Sequence, residues 1–197
     1  IVVYLNGSVR HSEVISLGGE HVTRDISLGL RTPHERAEII KLEHGCSLMS
    51  MVSNGETIAV SSVGDRRDRE VALRDLAEII EYRMDELMRL IQMEIQLTGY
   101  GDLIAGGVVL TGGGSLLPGV CELSEEVFAC PVRMGRPRYM VNVEEFKKLE
   151  QPQYSTVIGL ARYGALQRNK RDVFGPTVFG NLGKFFGRVG NWLRTTL

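Results

Sequence analysis

The chain has 197 residues, 43% of them hydrophobic and 24% charged, with a formal net charge of −1. That composition excludes a long disordered chain, a collagen-like repeat and a disulfide scaffold, and the near-neutral charge argues against a general nucleic-acid binder. Cys46, Cys121 and Cys130 are odd in number and none stands in CxxC spacing, so they read as reduced cytosolic thiols.

The opening IVVYL, the pair Asn6-Gly7 and VRHSEVISL predict a β-hairpin, closed by Gly18-Gly19. With no initiator Met, and a strand already under way at Ile1, the sequence reads as a piece of a longer protein. Val22, Ile26 and Leu30 fall at i, i+4 and i+8 and predict a short amphipathic helix. Thr32 as N-cap and Pro33 at the first position open a second helix, HERAEIIKLEH, which stops at Gly45. Alternation over residues 47–63 around Asn54-Gly55 predicts a second hairpin, and the charged GDRRDRE after it reads as a solvated loop. The longest helix is predicted over about 70–97, with Leu73, Leu76, Ile80, Leu87, Leu90, Ile91 and Ile95 on one stripe.

Gly106 to Leu110 (GGVVL) predicts a central strand, TGGGSLLPG a glycine loop, and the stretch through Phe128 a helix. PVRMG predicts another strand, residues 155–167 a closing helix, and RNKRDVFGP a linker. The order is that of an α/β or mixed α+β fold in which one lobe is interrupted by another. No fixed-period repeat is present. No run of about 18 apolar residues is present either, so nothing here predicts a membrane span.

TGGGSLLPG at 111–119 is the strongest chemical candidate. Consecutive glycines after a buried strand let a backbone approach a flat or phosphorylated ligand without interference from Cβ atoms. The segment has neither the Lys-Ser/Thr of a P-loop nor the GxGxxG spacing, and Leu117 stands where a GxSxG elbow needs glycine. A tight strand-to-helix turn is the plain alternative. HERAE carries Glu38 where a zincin motif has its second histidine, and His11, His21, His34 and His44 are scattered, so no metal site is expected. Glu38 and Lys41 stand at i, i+3, which by itself reads as a surface ion pair.

The last 25 residues contain no acid and three cations, which leaves the preceding 172 at −4. Val178, Leu182, Phe185, Phe186, Val189, Trp192 and Leu193 share one helical face, flanked by Lys184, Arg188 and Arg194. Aromatics beside cations suit a helix lying in an anionic membrane surface; a terminal helix docked on its own body is the alternative.

Taken together, LGGEHVTRDISLGLRT, AEIIKLEHGCSL, VSSVGDRRDRE, LAEIIEYRMDEL, GVVLTGGGSLLPGV, PVRMGRP, QPQYSTVIGLARYG and NWLRTTL resemble the FtsA family of bacterial actin-like cell-division proteins, in family order over nearly the whole chain. The resemblance implies an actin-like (ribonuclease H-like) ATPase fold of class α/β, of which this chain is the second lobe. Its core subdomain would be 1–30 with 101–167, its inserted subdomain 31–100, then a linker 168–176 and an amphipathic membrane-targeting helix 177–197.

By the same resemblance Gly112, Gly113 and Gly114 lie against adenosine, Glu38 and Lys41 meet the ribose and base, and Gly18 and Gly19 lie near the phosphates. The family's phosphate loops and first lobe are expected before Ile1. ATP and magnesium are therefore cofactors of the full-length protein, and this chain alone binds little nucleotide and catalyses nothing. The full-length protein is at most a weak ATPase.

The inserted subdomain would receive the C-terminal tail of FtsZ, with Arg67, Arg69, Arg74 and Arg83 as contacts. Other implied partners are further copies of itself in filaments and the anionic cytoplasmic membrane at the division site. A sugar kinase or chaperone ATPase of the same fold, or a pilus-assembly or cell-shape relative, are the competing readings.

Overall fold

The computed structural model describes residues 1–61, 68–101, 106–137 and 149–171. The chain divides into two units, Ile1–Thr156 and Val157–Leu197. In the first, β1 (Val2–Leu5) and β2 (Ser8–Ser12) pair antiparallel. The turn is the predicted Asn6-Gly7, with φ of 54° and 75°, and two left-handed residues in a row are what a type I′ hairpin turn requires.

α1 (Gly19–Gly29) follows, and Arg31, with φ of 46°, turns the chain out of it. α2 (His34–His44) begins one residue later than predicted. Pro33 is its N-cap, because the Thr32 hydroxyl donates instead to the Ser61 carbonyl at 2.6 Å.

The second hairpin forms with different partners from those predicted. Residues 49–51 make a 3₁₀ turn, held where Met49 N–H donates to Glu81 Oε2 at 2.5 Å. The strands are β3 (Thr57–Val60) and β4 (Arg69–Ala72), paired from Thr57↔Ala72 to Val60↔Arg69. Arg69 and Glu70 are thus strand residues, where the sequence reads as a charged loop. Ile58, Val60 and Val71 all turn to the interior.

α3 (Leu73–Leu97) is the longest element, about 37 Å by its rise per residue. Its buried face is Leu76, Ala77, Ile80, Met84, Met88 and Ile95, with Leu73, Leu87 and Ile91 packed beside it. Met84 and Met88 take centre-line positions that the leucine-and-isoleucine stripe did not include. β5 (Val108–Leu110) and β6 (Val132–Met134) are parallel, joined by a crossover through α4 (Val120–Phe128). A parallel pair needs such a connection, because no tight turn returns a strand in the same direction.

One apolar cluster holds the first unit together. Val22, Ile26 and Leu30 of α1, Ala37 and Ile40 of α2, and Val120 and Leu123 of α4 meet the α3 stripe and the inner face of β3–β4. α5 (Ser155–Arg171) continues past the predicted end at Gln167 through Arg168–Arg171, where arginine and lysine are good helix formers. The predicted tail helix 177–197 lies outside the described residues.

Candidate functional site

Gly18 and Gly19 enter α1. The Gly18 N–H donates to His21 Nδ1 at 3.3 Å and the His21 N–H to the Gly18 carbonyl at 2.9 Å, which closes the first turn. Gly18 has extended backbone (φ −172°) and open space where a Cβ would stand. Neither folding nor packing requires glycine there. An open cleft of about 450 Å³ beside this turn is lined by Glu20, His21, Arg24 and His34.

One turn into α1, Thr23 is wholly buried and meets Glu38 and Lys41 of α2. Lys41 Nζ lies 3.1 Å from the Gly19 carbonyl, 2.7 Å from Thr23 Oγ1 and 2.6 Å from Glu38 Oε2. The Thr23 hydroxyl reaches the same Glu38 oxygen and also the Gly19 carbonyl. This is not the surface ion pair that the i, i+3 spacing suggests by itself: the lysine side chain is only 10% exposed, the glutamate 39%. An ammonium has three N–H donors, and all three are directed at protein acceptors. Burial alone would raise the Glu38 pKa. Hydrogen bonds from Lys41 and Thr23, with the charges of Lys41 and His34, outweigh it and hold the carboxyl below its ordinary value.

The glycine loop leaves β5 at Thr111, whose hydroxyl lies 3.0 Å from the Gly135 carbonyl and 2.6 Å from Ser155 Oγ. Gly112 N–H donates to the Pro152 carbonyl at 3.1 Å, and the buried Ser115 hydroxyl donates back to the Gly112 carbonyl at 2.8 Å. Gly112, at φ 93° and ψ 173°, needs to be glycine for its backbone. Gly113 and Gly114 do not: they sit in a 3₁₀ turn at ordinary φ, with nothing within 4 Å of an added Cβ. The loop is pinned at both ends and bare in the middle.

Its downstream end joins α2. Ser47 N–H donates to the Pro118 carbonyl at 2.7 Å, and a Cβ on Gly45 would come within 3.0 Å of Leu117. Glu38 lies seven residues back from Gly45, about 10 Å along the helix. No described hydrogen bond joins Gly112–Gly114 to Glu38 or Lys41; α2 links the two groups. Thr23 and His21 are members of the site that the sequence reading did not include.

Among the described residues, Arg69, Arg74 and Arg83 each have different partners. Arg67 lies outside the described residues. Arg69 donates to the Leu30 carbonyl and Arg74 to Asn54 Oδ1 at 2.8 Å. Arg83 is shared between Asp25 of α1 and Glu86. Val178, Leu182, Lys184, Phe185, Phe186, Arg188, Val189, Trp192, Leu193 and Arg194 also lie outside the described residues. The three cysteines are free, and burial with the nearby Glu122 and Glu125 raises the Cys121 thiol pKa.

The sequence model of the family described as "Cell division protein FtsA" matches residues 1–159. The FtsA of Pseudomonas aeruginosa is 46% identical over 164 residues, 83% of this chain and 39% of that protein. That of Escherichia coli (strain K12) is 36% identical over 202 aligned positions, covering 98% of this chain and 48% of that protein. The chain thus spans less than half the length of these relatives.

Among solved structures, MreB5 of Spiroplasma citri bound to ADP superposes with a TM-score of 0.61 at 16% identity, over 86% of this chain and 50% of that one. The AMPPNP-bound form of MreB5 gives 0.61 at 14% identity, over 85% of this chain and 50% of that one. Identity this low speaks to the fold alone, and the fold is the actin-like one. With a family match over four-fifths of its length, the chain belongs to the FtsA family of cell-division proteins.

Proposed function

We propose that this chain forms one wall of an adenine-nucleotide site in a cell-division adaptor, and that the complete protein docks FtsZ and tethers it to the cytoplasmic membrane. The observation that carries the nucleotide part is the bare row Gly113-Gly114, together with Gly18 at the entry to α1: glycines that neither backbone conformation nor packing demands. Glycine lowers stability where nothing requires it, so its presence there fits the close approach of a ligand. Solved relatives of the fold are bound to ADP and AMPPNP, which is consistent with that ligand.

Gly112–Gly114 would lie against adenosine, Glu38 would receive the ribose, Lys41 would brace that carboxylate, and the α1 N-terminus at Gly18 and Gly19 would face the phosphates. The acids that hold magnesium are assigned to the preceding half, so this chain alone binds nucleotide weakly and hydrolyses none. FtsZ would dock on the 31–100 region, with Arg67, Arg69 and Arg74 as contacts, Arg69 and Arg74 from the bonds they make to the Leu30 carbonyl and Asn54. Arg83 would act there only by leaving Asp25. The alignment to the Escherichia coli protein covers 98% of this chain and so runs into the 177–197 tail, which supports a shared anchor.

The test is ATP titration of the full-length protein containing this chain, beside Gly113→Ala. Tight ATP binding that the alanine weakens about tenfold, with folding unchanged, supports the reading. Equal affinity of the two proteins overturns the glycine assignment.

A further inference from the structure

Hydrogen-bond arithmetic around Thr23 assigns a role to a residue outside the glycine loop. The Thr23 side chain is fully buried and its one oxygen lies within reach of three groups: Lys41 Nζ, Glu38 Oε2 and the Gly19 carbonyl. Lys41 has only donors, so Thr23 accepts from it and has a single proton left to give. The candidates are the Gly19 carbonyl, which already accepts from Lys41 at 3.1 Å, and the Glu38 carboxylate. A charged acceptor makes the stronger bond, so the proton goes to Glu38.

Both protein bonds to this carboxylate fall on Oε2. Among the described residues Oε1 has no partner, and the side chain is 39% exposed. The result is a carboxylate fixed by one oxygen with the other open, and an ionised carboxylate only accepts. Its complement is a ligand hydroxyl. A vicinal diol such as ribose supplies two.

Resting on the nucleotide reading above, we propose that Thr23 is the positioning residue that aims the second oxygen of Glu38 at the ribose hydroxyls, and so sets the preference for ribonucleotides over deoxyribonucleotides. Lys41 alone cannot do this, because a point charge on a flexible stem lets the carboxylate rotate about it. Two bonds to one oxygen, from donors on different helices, fix its plane. A site built to hydrogen-bond a hydroxyl discriminates against the analogue without it, since the site's own polar group is then left unpaired.

The experiment compares ATP, 2′-deoxy-ATP and 3′-deoxy-ATP binding to the full-length protein containing this chain, in wild type, Thr23→Val and Thr23→Ser. Wild type is expected to prefer ATP over at least one deoxy analogue by about tenfold, the worth of one hydrogen bond to a charged group. Thr23→Val, nearly isosteric but without the hydroxyl, should reduce that preference to about twofold while still binding the deoxy analogues as wild type does. Thr23→Ser should restore it.

If Thr23→Val weakens all three nucleotides equally, the residue is merely structural and the proposal fails while the nucleotide reading stands. If it leaves the preference intact, the proposal fails in the same way. Failure of wild type to bind ATP overturns both.

Discussion

At the scale of single residues, Lys41 is the member of the site with most to lose. It is nearly buried, and its removal takes one donor each from the Gly19 carbonyl, the Thr23 hydroxyl and the Glu38 carboxylate. Lys41→Met should therefore cost about 1–3 kcal/mol of stability, measured by urea unfolding of this chain. A cost within experimental error would mean that water replaces the ammonium and that the group is not a closed network.

Glu38 gives the complementary pH prediction. Its folded pKa is depressed, so its contribution is fully present above the unfolded-state value and is lost as pH falls through the folded value. Glu38→Gln should flatten the acid limb of stability against pH, and identical limbs would contradict the depressed pKa. Glu38 and Lys41 were legible as site residues only through the family resemblance, because two charges at i, i+3 by themselves announce no more than a surface ion pair. Thr23 was not, because its partners stand 15 and 18 residues away and a threonine inside a helix carries no signal of its own.

Among elements, the glycine loop separates the demands of folding from those of binding. Gly112→Ala forces a side chain into backbone space open essentially to glycine, and about 1–3 kcal/mol of destabilisation is expected. Gly113→Ala and Gly114→Ala meet open space at ordinary φ and should leave stability within about 0.5 kcal/mol of wild type. Thermal unfolding of the three variants distinguishes these cases, and a large loss at Gly113 or Gly114 would show that the loop packs more tightly than its open middle implies.

The same scale shows where sequence reading stops. The hairpin at Asn6-Gly7 was readable because its turn is local and its residues accept left-handed backbone. The β3–β4 pair was not, because β4 is a four-residue strand bearing Arg69 and Glu70, and its partner is chosen by Val71 joining Ile58 in the core. Alternation over 47–53 looks like a strand, yet the Glu81 carboxylate on α3 draws Met49 into a 3₁₀ turn. A similar long-range tie fastens the first hairpin, where His11 Nε2 meets Glu94 Oε1 of α3 at 3.1 Å, 83 residues away. Glu94→Ala should raise amide exchange across β1–β2 while leaving α1 and α3 protected, and unchanged exchange would show that the tie is idle.

For the whole molecule, the distribution of charge bears on how a tethered protein would sit at a membrane. The last 25 residues carry +3 and the preceding 172 carry −4, so an anionic surface attracts the tail and repels the remainder. A single amphipathic helix with three cations binds reversibly, and its grip should weaken as salt screens the headgroups. Co-sedimentation of this chain with vesicles of anionic phospholipid is therefore expected to exceed that with neutral vesicles, and to fall with added salt. A chain ending at Asp172 should stay in the supernatant under every condition.

Phe186→Glu or Trp192→Glu puts a charge on the apolar face and should release the chain as completely as truncation does, with the far-ultraviolet spectrum of the body unchanged. Both residues lie on the stripe that runs from Val178 to Leu193 in the sequence, so in the expected helix neither would reach the polar side. If the truncated chain sediments as well as the complete one, the membrane contact belongs to the body, and the tail is left to dock on protein. If the substituted chains persist on the vesicles while the truncated chain does not, the cations hold the surface without the aromatics, and the anchor is electrostatic rather than inserted.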